Sequence, residues 1–228
     1  MIDMQARSIF PPRGLGRRDL LLAGIGAACA TPSAAALPVP DAGVLSFRVL
    51  RNDSPIGSHV LTFAPAGNAL TVRVAVALKV GIGPITLYRY SHQAEERWRD
   101  GVVVSVDAET NDDGTIGRTV IRREAGGYSV EGRGVPRYLA PPEALPATHW
   151  NRRMLDGPMI NTQMAELMRP VVTRVGAMRV ALRDGAAEAD HFTLRGDADL
   201  DTWYDARPSW VALRFVARDG SVIRYERS

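Results

Sequence analysis

"LTVRVAVALKV", residues 70–80, alternates without a break. Leu70, Val72, Val74, Val76, Leu78 and Val80 fall on one side of an extended chain, and Thr71, Arg73, Ala75, Ala77 and Lys79 on the other. A period of two rich in β-branched residues predicts a strand with one buried and one wet face. The pattern spreads in both directions. On the C-terminal side come "ITLYRYSHQAEERWR" (85–99), "VVVSVDAET" (102–110), "RTVIRRE" (118–124) and "YSVEGR" (128–133), divided by Arg99-Asp100-Gly101, Asn111 to Gly114 and Ala125-Gly126-Gly127. On the N-terminal side "VLSFRVL" (44–50) and "SHVLTF" (58–63) pair around Asp53 to Gly57. Residues 190–227 repeat the theme, with turns at Arg207-Pro208-Ser209 and Asp219-Gly220. Short strands separated by turn-forming residues predict an all-β fold, an antiparallel meander that curves into a barrel whose closure the sequence leaves open.

One segment interrupts this. Residues 141–170, "PPEALPATHWNRRMLDGPMINTQMAELMRP", carry recurring prolines and no sustained period. Turns of helix are expected at Glu143 to Leu145, after Pro141-Pro142, and at Thr162 to Met168. The segment is expected to cross the sheet or plug one end of the barrel.

The front of the chain reads differently. "GRRDLLLAGIGAACATPSAAA" (16–36) places Arg17-Arg18 before a short apolar run and small residues after it, the pattern of a cleaved export signal. The run is too short to be a stable membrane span. The paired arginines favour the twin-arginine type, although Gly16 and Leu22 depart from its consensus. The reading is therefore a signal over 1–36 cut after Ala36, a linker over 37–43, and a single β domain over 44–228 working in the periplasm. Lipid anchoring through Cys29 is the lesser alternative, because Gly26 stands where such signals carry a large aliphatic residue.

Charge excludes one class of partner. The whole chain carries +3, but residues 1–36 hold Arg7, Arg13, Arg17 and Arg18 against Asp3 and Asp19, so the mature part carries +1. Nucleic-acid binding driven by counterion release has no source there. No G-x-S-x-G, H-E-x-x-H, C-x-x-C or Walker sequence occurs, so neither catalytic residues nor a cofactor is assigned. Asp197, Asp199 and Asp201 open like a calcium loop, yet Thr202 and Pro208 stand where its glycine and last carboxylate belong. They read instead as an acidic ladder on one strand face, within reach of Arg195 or Arg214. His59, His92, His149 and His191 lie far apart, so no metal site is assigned.

Two groups remain as candidate ligand-binding residues. On 85–99, Tyr88, Tyr90, His92, Glu96 and Trp98 share one face, an aromatic stripe with polar handles suited to an amphiphilic ligand inside a barrel. Core packing with Glu96 at the rim is the competing reading. His149-Trp150-Asn151, on the irregular segment, forms the second group.

With "GPITLYRYSHQAEERWRDG", "LPATHWN", "MINTQ" and "FTLRGDADLDTWYDARPSWVALRF" in view, the chain resembles a bacterial family of exported proteins labelled as a domain of unknown function. The likeness spans most of 44–226, and the family lends no catalytic residue. The strand order is more loosely similar to the incompletely closed β-barrels of lipoprotein carriers, which hold acyl chains on a concave apolar face. The leading expectation is a periplasmic binding protein for a small hydrophobic or amphiphilic ligand, a class that includes lipid-derived molecules. A second expectation is an envelope assembly factor acting through a sheet edge or a Trp203-Tyr204 surface. A third is an enzyme using His149, or His92 with Glu96, as acid and base. Oligomeric state is open.

Overall fold

The computed structural model describes residues 37–82, 85–183, 185–207 and 209–228. The export signal read over 1–36 lies outside the described residues. Residues 37–43, read as a linker, lie against the domain through the partly buried Leu37 and Val39.

The strands are β1 (Val44–Arg51), β2 (Ser54–Ala66), β3 (Ala69–Ile82), β4 (Ile85–Arg99), β5 (Val102–Asp112), β6 (Thr115–Glu124), β7 (Gly127–Gly132) and β8 (Val135–Ala140). After the irregular segment come β12 (Val171–Leu182), β13 (Gly185–Arg195), β14 (Leu200–Tyr204), β15 (Trp210–Val216) and β16 (Val222–Arg227). Among the described residues these form one antiparallel 13-stranded sheet in the order β12-β13-β14-β15-β16-β1-β2-β3-β4-β5-β6-β7-β8. The first strand pairs with the last, and β8 and β12 are left as edges, so the curved sheet is not closed. The nearly all-β meander anticipated from the alternation is the observed fold.

Strand faces follow the alternation. On β3 the residues Leu70, Val72, Val74, Val76, Leu78 and Val80 are buried, and on β4 so are Tyr88, Tyr90, His92, Ala94, Glu96 and Trp98. The apolar and aromatic ones share one core cluster with Phe47, Leu61, Ile121, Val130, Leu194 and Ile223 from six other strands, as residues on the concave face of a single curled sheet must.

Turn chemistry sets the register. Asn52-Asp53, Asp100-Gly101 and Asp113-Gly114 are two-residue hairpin loops with positive φ at both positions, the mirror-image turns whose twist matches that of the strands. The first hairpin thus turns at 52–53, earlier than the Asp53 to Gly57 expected, because Asn52 and Asp53 tolerate left-handed backbone. Ile56 and Gly57 belong to β2 beyond the register shift at Val49/Leu50. At Gly57 a Cβ would lie 1.9 Å from the Ala77 carbonyl oxygen, so only glycine lets β2 and β3 approach there. Gly114 has φ +93 and nothing within 4 Å of an added Cβ, leaving only backbone strain to oppose substitution. Gly114→Ala is expected to cost about 1–2 kcal/mol, seen as a lower urea midpoint at unchanged m. An unchanged midpoint would rule out the turn geometry described.

The crossing segment holds two corrections. Neither expected helical turn forms. Leu145–Pro146 is a short strand, β9, paired parallel with β10 (Met159–Ile160), which pairs antiparallel with β11 (Leu167–Met168). Asn161 Oδ1 accepts from the backbone N–H groups of Gln163 and Met164, which turns the chain instead of starting a helix. The helical turn lies at Arg152–Asp156, a 3-10 turn whose N-cap Asn151 accepts from Arg153 N. Ala144, Trp150, Met154, Met159, Ile160 and Ala165 all join the main core cluster, so the segment packs onto the concave face.

Candidate functional site

The two residue groups singled out from sequence meet inside the sheet. Trp98 Nε1 and Trp150 Nε1 donate to the same oxygen, Glu96 Oε2, at 2.8 and 3.1 Å. Trp150 also stands edge-on to Trp98 and Phe63, each at 5.3 Å between ring centroids. Glu96 is therefore fully buried and not at the rim, because the crossing segment covers it. Burial raises its carboxyl above the ordinary range, opposed by hydrogen bonds from Thr148, Trp98 and Trp150.

Around this clasp Tyr88, Tyr90 and His92 are spent on the fold, while Glu96 Oε1 and Asn151 Nδ2 are buried without a partner. Tyr88 donates to Asp112 at 2.6 Å, and Tyr90 donates to Gln163 Oε1 at 2.5 Å, tying β4 to the crossing segment. His92 contacts Thr110 Oγ1 through Nδ1 at 2.8 Å and Thr162 Oγ1 through Nε2 at 3.3 Å. Glu96 lies four residues along the same strand, with different partners, so the two do not form an acid–base pair. Asn151 acts as the helical cap.

Beside the clasp lies a cavity of about 160 Å³ lined by His59, His92 and His149 together with Tyr90, Gln163 and Tyr225. Sequence distance had separated these histidines, and curvature brings three of them to one cavity. No cluster of three or more His, Cys, Asp or Glu suited to a metal ion occurs among the described residues. His59 packs among Phe47, Trp210 and Tyr225, is 6% exposed, and neither of its ring nitrogens has a partner. Burial, with smaller contributions from His149 and His92, depresses its pKa from 6.5 to about 3. Burial likewise lowers His92 and His149 to about 4. All three rings are neutral near pH 7.

His149 has φ 67, a backbone region that non-glycine residues rarely adopt, and its ring stacks on Trp210 at 5.1 Å. Its carbonyl accepts from Tyr204 at 2.9 Å, which fixes the peptide on β14, while Nδ1 is unpartnered. Tyr204 is thus buried and does not share a surface with Trp203, which stacks on His191 at 4.6 Å on the outer side.

Of the chosen residues Tyr90, His92 and His149 line the cavity, whereas Tyr88, Glu96, Trp98, Trp150 and Asn151 are buried outside its lining. His59, Gln163 and Tyr225 were missed. For His59 the signal was present, since it alternates inward with Leu61 and Phe63 on β2. Gln163 has no periodic signal, because a side-chain turn places it. The acidic residues also differ from the ladder expected. Only Asp201 sits on a strand, bridging Arg195 at 2.8 Å and Arg214 at 3.7 Å. Asp197 accepts from Arg169 N, and both it and Asp199 belong to the cavity lining.

A family model described as Domain of unknown function (DUF6134) matches residues 47–228, and the chain belongs to that family. No curated protein matches the chain. Among solved structures it is similar to a beta-barrel-like protein of domain of unknown function DUF1849 from Brucella abortus. That similarity has TM-score 0.55 and 8% identity, covering 81% of this chain and 95% of that one, and it speaks to fold alone.

Proposed function

We propose that this DUF6134 member is a binding protein that holds a small hydrophobic or amphiphilic molecule in the histidine-lined cavity. The observation that carries the reading is the cavity itself: a hollow in a densely packed core, walled by apolar side chains and by buried ring nitrogens without partners. Cavities that take drug-sized ligands span about 300–1,000 Å³, so at about 160 Å³ this one fits a compact molecule, or one end of a longer one. The reading takes the protein to work in the periplasm after removal of the leader over 1–36. Among the described residues no helix is long and apolar enough to cross a membrane.

Native mass spectrometry of protein purified from the cell envelope is expected to show a retained small molecule released by solvent extraction. A mass equal to the polypeptide alone, with cavity resonances unmoved across a fragment library, overturns the reading. A second reading, assembly with another protein, draws on edge strand β12, where Val171 and Val175 are 68% and 60% exposed. It expects charge substitutions on that edge to abolish co-purification of a partner.

A further inference from the structure

Resting on the cavity as a binding site, we propose that its occupant is a neutral, hydroxyl-bearing molecule and that acidic ligands such as fatty carboxylates and phosphates are excluded. Two independent features carry this: which polar groups are left over, and which charges are missing.

His59 is nine-tenths buried, lines the cavity and has both ring nitrogens unspent. A neutral imidazole always offers one N–H donor and one lone-pair acceptor, whichever tautomer it adopts. A hydroxyl both donates and accepts, so it serves either nitrogen. The unpartnered Nδ1 of His149 offers a second point of contact at the same cavity. His92, by contrast, is already held between Thr110 and Thr162 and has nothing further to give.

Charge decides against the alternatives. Among the described residues no Arg or Lys lines this cavity, although the chain holds 28 of them. A buried carboxylate or phosphate would stand there without a counter-charge, which desolvation penalises heavily, and Asp197 and Asp199 in the lining add repulsion. Those aspartates do not supply a site for a cation either. Asp197 accepts from Arg169 N and Asp199 from Gly196 N, both on the loop before β14, and no group of three or more His, Cys, Asp or Glu suited to a metal ion occurs among the described residues. The rest of the lining, including Val74, Val76, Met159, Leu194 and Leu213, suits a ring or short chain. An engineered cavity of about 150 Å³ accepts benzene, so one six-membered ring sets the scale.

Four probes of that size separate the possibilities in NMR titrations of the whole mature protein near neutral pH: phenol, toluene, benzoate and benzylammonium. Phenol is expected to bind most tightly and to shift the His59 ring signals, with benzoate and benzylammonium at least tenfold weaker. His59→Phe, which keeps an aromatic ring and removes both nitrogens, is expected to erase the preference for phenol over toluene. Benzoate or benzylammonium binding as tightly as phenol overturns the neutral-hydroxyl assignment while the binding site stands. Equal binding of phenol and toluene to the wild type overturns it too. If none of the four binds, toluene included, the cavity is no binding site and both readings fall.

Discussion

Lowering the pH from about 7 to about 5 is expected to remove roughly 4 kcal/mol of folding free energy through His59 and His92 alone. In the unfolded chain these rings take up protons near 6.5, whereas burial holds the folded rings at about 3 and about 4. The unfolded state therefore binds protons that the folded state refuses. The contribution is complete above 6.5 and is lost as the pH falls toward the folded values. The part of that window crossed by about pH 5 spans roughly 1.5 pH units, or roughly 2 kcal/mol per ring. Glu96 acts with the opposite sign. Its raised pKa favours the folded state at low pH, and that contribution is lost as the pH climbs above the ordinary carboxyl value. Comparing wild type with His59→Phe cancels the Glu96 effect. Urea midpoints measured at both pH values are expected to show a pH slope flattened by roughly 2 kcal/mol in the variant. Identical slopes would mean that His59 is not buried as a neutral ring.

Trp150→Ala is expected to destabilise the domain by about 3–5 kcal/mol. Its side chain is fully buried against Phe63 and Trp98, so truncation leaves a large void beneath the crossing segment. It also removes one of the two indole donors that hold the Glu96 carboxyl in the interior. Trp150→Phe keeps most of the volume and loses mainly the N–H donor, so its cost is expected near about 1–3 kcal/mol. Denaturant unfolding of both variants reads the comparison directly. Equal costs would assign the whole effect to the hydrogen bond, and negligible costs for both would show that the segment does not anchor the concave face.

Much of the fold could be read from particular residues. The alternation from Leu70 to Val80 and from Tyr88 to Trp98 assigned inward and outward faces that the structure reproduces residue by residue. Asp100-Gly101 and Asp113-Gly114 marked turns because left-handed backbone at both positions restricts which residues can stand there. The crossing segment was harder to read. Its turns come from Asn151 and Asn161 side chains bonding to nearby backbone, a chemistry with no period.

The sequence by itself thus determined an antiparallel sheet, which faces of β3 and β4 are buried, and that Glu96 and the His-Trp-Asn stretch were unusual enough to single out. Only the tertiary structure decided that the sheet stays open, that Trp150 closes over Glu96, and that His59 and His149 line one cavity with His92. The reason is physical. A side chain's facing is set by its own backbone dihedrals and is written locally at period two. Which inward side chains meet depends on the accumulated twist and register of many strands, and on where a segment without periodicity crosses them.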